Sequence, residues 1–227
     1  PYSRTFLREP LFTLLALLSV YLVERIRQHF VAGRYPLLLG LALVAAFAGT
    51  LLAKEASLLI IPAIITAAIP ARHQTRSTAI ALGVLALVGV VLLVVVLNLD
   101  TWFDIAITRW NLTDRLQQAR SNIYDMSEGV RGYLYSPARS MWLFSPVLLL
   151  GFFGWPGLVR ARRWREIAVP LVTVVTFIAG YAAVRGPASW YGGLGWGPRY
   201  LVPVTPFVAL WLLPVAQMLL ERNAAWW

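Results

Sequence analysis

The residue types best suited to chemistry lie together in Ser189-Trp190-Tyr191-Gly192-Gly193-Leu194-Gly195-Trp196-Gly197-Pro198-Arg199-Tyr200. The glycines let this backbone bend sharply and approach a ligand. Trp190, Tyr191 and Trp196 offer flat amphipathic faces of the kind that settle at a membrane–water boundary. Arg199 is a permanent cation whose planar fork matches phosphate. Ring faces beside a phosphate fork suit a ligand that is part sugar and part lipid phosphate. A plain re-entry turn lined by interfacial aromatics uses the same residues, and residue types alone do not separate the two readings.

The elements that must position this stretch are apolar. Of 227 residues, 59% are hydrophobic and 13% charged, a balance that points to a polytopic membrane protein rather than a water-soluble domain. The net charge of +10 is explained by arginines in short loops and calls for no nucleic-acid partner. There is no cysteine, which excludes thiol chemistry, and His29 and His73 stand too far apart for a metal-ligand spacing. The chain starts at Pro1 without a signal-peptide pattern, as expected of the downstream part of something longer.

The expected fold is all-α: one transmembrane domain over residues 1–227, a bundle of about seven spans at 11–23, 37–53, 56–69, 79–97, 141–159, 167–184 and 201–220. As one helix, residues 37–69 would run roughly 50 Å against a hydrocarbon core of about 30 Å. The segment must therefore break, most naturally at Lys54-Glu55, with Pro62 adding a kink. A charged pair at that depth reads either as functional or as the ion pair of a plain hairpin tip.

The polar segment 98–140 forms an extracytoplasmic loop with two amphipathic helices. Phe103, Ala106, Ile107 and Trp110 fall on one face, opposite Asp104, Thr108 and Arg109; Leu112, Leu116, Ala119, Ile123 and Met126 then repeat at helical spacing. Asn111 with Asp114 reads as a helix start and Gly129 as a stop. These helices lie on the membrane surface or pack on neighbouring loops. Asn111-Leu112-Thr113 is a glycosylation sequon, a short motif that recurs by chance.

Arginine placement sets the orientation. Arg25, Arg27, Arg34, Arg72, Arg76, Arg160, Arg162, Arg163, Arg165 and Arg222 fall in short segments assigned to the cytoplasm. The opposite face is longer and mixes its basic residues with most of the acids. The chain start, Lys54-Glu55, the loop 98–140 and the Trp/Gly/Arg stretch then share the extracytoplasmic face.

Trp190-Tyr191-Gly192-Gly193 through Trp196-Gly197-Pro198-Arg199-Tyr200-Leu201-Val202-Pro203-Val204-Thr205-Pro206 resembles the Arg-Tyr-x-x-Pro-x-x-Pro junction of polytopic GT-C glycosyltransferases, such as protein mannosyltransferases and aminoarabinose transferases of lipid A. Ser136-Pro137-Ala138-Arg139-Ser140 through Ser145-Pro146 is similar to their Ser-Pro-Gly-Arg entry to a span, with alanine for glycine. Leu51-Leu52-Ala53-Lys54 before Pro62 is similar to their Leu-Thr-Lys, with alanine for threonine. Ser3-Arg4 to Glu9-Pro10-Leu11 fits the outer-face entry to a middle span. The resemblance covers most of the chain in order, through motifs of moderate specificity.

It implies a sugar taken from a polyprenyl-phosphate carrier and passed to a glycan, lipid or protein acceptor, outside the plasma (inner) membrane. Lys54, Arg199, Tyr200 and Arg139 would then meet the donor phosphate, and Trp190, Tyr191 and Trp196 the sugar; ion pairing and interfacial anchoring are the alternatives. The family's catalytic carboxylates belong to the first outer loop. No Asp-Asp or Asp-Glu pair occurs here, so the base is expected upstream of Pro1 and this chain alone is expected to be inactive. Glu9 and Glu55 lie nearest the span ends and are the weak catalytic candidates. Neutralising Lys54 is the alternative role for Glu55, and capping the first span the alternative for Glu9. Asp100 and Asp104 face an acceptor or only solvent. No cofactor is read from the residues; some relatives use a divalent ion and others do not. A transporter or flippase for lipid-linked glycans would use the same outer loops but should show half-helices or an internal repeat, and neither is seen. A non-catalytic membrane subunit is the remaining alternative.

Overall fold

A computed structural model describes the backbone of residues 8–31, 37–69, 112–137, 140–189 and 199–224. All regular elements among them are helical. They fall into two units, residues 1–112 and 113–227. Among the described residues, two helices are long and apolar enough to cross a membrane, Trp164–Gly186 and Tyr200–Glu221.

In the first unit, α1 (Arg8–Val31) packs on α2 (Leu37–Ala53) and α3 (Ile61–Ala68). Phe12, Ala16, Ser19, Val23 and Ile26 recur every three or four residues along α1 and are buried, forming the stripe that meets its neighbours. Leu11, Leu14, Leu18 and Tyr21 are apolar as well, yet exposed. A helix greasy on both faces suits hydrocarbon better than water. The buried hydroxyls of Ser19 and Thr50 donate within their own helices, to the Leu15 and Phe47 carbonyls at 2.8 and 2.6 Å, leaving no unmet polar group there.

The expected break of segment 37–69 occurs at Lys54. Its φ of −159° and ψ of 140° are extended, and a 3₁₀ turn, Glu55–Ile60, leads into α3. Pro62, where a kink is expected, stands just after the 3₁₀ turn passes into α3. It sits in the first turn of α3, where its missing N–H has no helical partner to lose.

The second unit begins with α4 (Leu112–Asn122) and α5 (Met126–Tyr135). The expected stop at Gly129 is corrected: the break falls at the turn after Asn122, and Gly129 lies inside α5. Gly129, Gly132 and Tyr133 are buried on the face that α5 turns to the long helix. A short α6 (Met141–Phe144), a 3₁₀ segment (Pro146–Gly154) and α7 (Trp155–Arg160) follow, then α8 (Trp164–Ser189). The last run is a 3₁₀ turn (Arg199–Val204), α9 (Thr205–Ala209), a further 3₁₀ turn (Leu210–Leu212) and α10 (Leu213–Ala224).

Two breaks in the backbone bonding of α8 explain how its neighbours dock. A proline has no N–H for the carbonyl four residues earlier. Pro170 leaves the Glu166 carbonyl, which instead accepts from Trp211 Nε1 at 3.0 Å. Farther along, the turn at Gly186 before Pro187 leaves the Ala183 carbonyl, which accepts from Asn122 Nδ2 at 3.1 Å. Side chains from other elements thus replace the backbone bonds lost at these two places, as an apolar surrounding requires.

The expected seven spans are not all present as long apolar helices. Leu37–Ala53, Ala56–Ala68 and Pro146–Arg160 are apolar but shorter, because Lys54 divides one run and the non-helical Ser145 the other. Helix α1 carries Glu24, Arg25 and Arg27 toward its C-terminal end. The expected span 79–97 lies outside the described residues.

Candidate functional site

Two cation-centred clusters stand out, one in each unit. The first is built on Lys54. Helix α2 ends beneath it, its own N–H donating to the Thr50 carbonyl at 3.0 Å. The Ser57 hydroxyl donates to the Lys54 carbonyl. The side chain reaches Glu9, 45 positions upstream, with Nζ 2.5 Å from both carboxylate oxygens. The Phe12 ring lies beside it, its centroid 5.9 Å from Nζ. The Lys54 and Glu9 side chains are only 14% and 17% exposed.

Glu9 stands in the first turn of α1, where a carboxylate also complements the positive end of the helix. Glu9 thus combines a place in the first turn of α1 with an ion pair to Lys54. Glu55, expected to neutralise Lys54, has its side chain outside the described residues. A pair so withdrawn from water holds its cation in one place, and removal of either partner leaves an uncompensated charge.

The second cluster is built where α8 ends and the last apolar run begins. Tyr200 stacks on Tyr181 with ring centroids 4.5 Å apart and an interplanar angle of 14°. The Arg185 guanidinium lies over the Tyr200 ring, its carbon 5.0 Å from the centroid. Tyr181 and Arg185 are four residues apart and share a helical face. Immediately after Arg185 the backbone turns at Gly186, with φ 62° and ψ −175°, a region essentially reserved for glycine. A β-carbon there would stand 2.7 Å from the Asn122 side chain, so glycine serves both the turn and the contact with α4.

Of the residues expected at the site, Lys54, Glu9 and Tyr200 have described side chains, and each is engaged in one of these clusters. Trp190, Tyr191, Trp196 and Arg139 lie outside the described residues, as do Asn111, Asp100 and Asp104; Arg199 is described in backbone only. Arg185 was not among the expected site residues. The available signal was an arginine directly before Gly186-Pro187 and four positions after Tyr181, at the end of an apolar run. Among the described residues no group of three or more His, Asp or Glu side chains is arranged to hold a metal, and no step below is routed through one. No protein-family description, curated protein or solved structure matches this chain.

Proposed function

We propose that the chain belongs to a multi-pass membrane glycosyltransferase of the GT-C kind, moving a sugar from a polyprenyl-phosphate donor to a glycan, lipid or protein acceptor. The reaction face is extracytoplasmic, at the plasma (inner) membrane. The observation that carries this reading is the arginine–tyrosine stack at the head of the membrane-length helix Tyr200–Glu221. The planar fork of a guanidinium matches phosphate geometry, and a ring face can hold that plane in place. The stack stands at the point where the Trp/Gly/Arg stretch joins that helix.

In such a transfer the acceptor hydroxyl oxygen bonds to the anomeric carbon while the bond from that carbon to the phosphate oxygen breaks. A carboxylate takes the hydroxyl proton, and the phosphate departs with its negative charge, which nearby cations stabilise. Arg199 and Lys54 are the cations we assign to that task, with Tyr200 and Arg139 as further phosphate contacts and Trp190, Tyr191 and Trp196 as sugar-facing rings. Glu9 then orients Lys54 rather than acting as the base, because its carboxylate is occupied by the ammonium.

The test is transfer by the full-length protein in proteoliposomes, from a polyprenyl-phosphate-linked sugar to added acceptor. Arg199→Ala and Lys54→Ala should each lower kcat on the order of 100-fold, the usual effect of removing one group that stabilises transition-state charge. Unchanged turnover in both removes the assignment. Translocation of the lipid-linked sugar without transfer would favour the transporter reading instead.

A further inference from the structure

The densest basic run, Arg160, Arg162, Arg163 and Arg165, takes no part in the chemistry proposed above. It occupies the tight connection between α7, which ends at Arg160, and α8, which begins at Trp164. Both the apolar helix Pro146–Arg160 and the membrane-length Trp164–Gly186 therefore terminate here.

The connection is a Schellman turn. The Arg163 N–H reaches back to the Leu158 carbonyl at 2.8 Å, and the Arg162 N–H to the Val159 carbonyl at 3.0 Å. Such a turn needs one residue in the left-handed region, and glycine normally supplies it. Here Arg162 does, with φ 57°. A residue with a β-carbon costs on the order of 1 kcal/mol there. The fold thus keeps an arginine where glycine would be cheaper, which directs attention to what the side chain does.

Arg160, Arg162 and Arg163 are all exposed. Arg163 Nε donates to Glu166 Oε1 at 2.5 Å. The side chains of Arg160 and Arg162 make no hydrogen bond or ion pair among the described residues. Beside them, Val159 and Trp164 are 60% and 50% exposed. Two unpaired guanidinium forks next to an open indole and an open aliphatic side chain match the headgroup region of a bilayer, where indole settles and arginine meets phosphate.

We propose that the Arg160–Arg162 turn is a docking site for anionic phospholipid headgroups of the leaflet it borders. The inference does not depend on sugar transfer. The guanidinium groups grip the lipid phosphate while Trp164 and Val159 contact the first carbons of its acyl chains, so the turn selects an acidic lipid over a zwitterionic one. Arg163, already paired with Glu166, contributes less.

The test uses the whole protein in nanodiscs of phosphatidylcholine and phosphatidylglycerol, with one of the two lipids brominated on its acyl chains. Trp164 emission is taken as the difference between the protein and its Trp164→Phe variant. At equal mole fraction, brominated phosphatidylglycerol should quench Trp164 more strongly than brominated phosphatidylcholine, and raised salt should shrink the difference. The Arg160→Gln/Arg162→Gln double variant should lower the preference on the order of tenfold, and Arg160→Lys/Arg162→Lys should retain part of it. Arg162→Gly separates ligand from structure: it should raise the unfolding temperature by relieving the backbone while reducing the lipid preference. Equal quenching by both lipids, no quenching by either, or a preference that survives the double glutamine variant would overturn the proposal.

Discussion

Lys54 and Arg185 are both partly buried cations where an apolar helix ends, and the protein accommodates them by opposite means. Lys54, a compact ammonium, is held between two carboxylate oxygens of Glu9 and beside Phe12. Arg185, a delocalised fork, lies on the face of Tyr200, itself stacked on Tyr181. The difference follows from the groups. A strongly hydrated point charge needs an anion when it leaves water, whereas a weakly hydrated plane can rest on a ring. The carboxylate fixes the position of the ammonium, and the ring fixes the plane of the guanidinium.

This contrast breaks most sharply at Glu9. Glu9→Ala strands a buried ammonium, and the loss should be about 3 kcal/mol or more by denaturant unfolding in detergent. Glu9→Leu combined with Lys54→Met should recover most of that loss, because the double change removes both charges. A single variant as stable as the parent would mean that the pair holds nothing together.

A smaller effect is expected where the second cluster is shouldered by α4. Asn122→Ala withdraws the donor that covers the Ala183 carbonyl, one turn before Pro187, and should cost about 1–2 kcal/mol. Its companion is Trp211→Phe, which uncovers the Glu166 carbonyl before Pro170. Measured together with Pro187→Ala, the Asn122 change should keep its full cost, since the turn at Gly186 aims the N–H of position 187 away from the Ala183 carbonyl. A double variant that regains the lost stability would show that the backbone can close the helix through Gly186 after all.

The smallest effect belongs to the stack. Arg185→Leu should lower stability by about 0.5–1 kcal/mol through loss of its contact with the Tyr200 face, well below the Glu9 change. A loss as large as that of Glu9→Ala would show Arg185 to be a structural ion-pair member and would end the contrast.

Much of the scaffold was legible from residue order. Apolar run lengths forced a break in 37–69, and Lys54 supplies it with an extended backbone. The spacing of Leu112, Leu116 and Ala119 marked α4, which runs from Leu112 to Asn122. Gly129 was misleading because glycine has two uses. It ends helices by its conformational freedom, and it also lets a helix pack closely, which is its use in α5 against α8. Run length also overstated the spans, since a short turn or an extended residue divides an apolar stretch without changing its composition.

The site was only partly legible. Lys54 and Tyr200 were singled out by their place in apolar junctions, but their partners depend on tertiary contacts. Nothing local ties Glu9 to a lysine 45 residues away, and the value of Arg185 appears only when Tyr181 and Tyr200 are brought face to face.

The central claim is that Lys54 and Arg199 serve one face of a membrane and the Arg160–Arg162 turn the other. The chain has no cysteine, so Lys54→Cys, Arg199→Cys and Arg162→Cys can each be labelled singly in sealed, right-side-out vesicles with a membrane-impermeant maleimide. Positions 54 and 199 should label from outside, and position 162 only after the vesicles are opened. Positions 54 and 199 labelling from opposite sides would contradict the account.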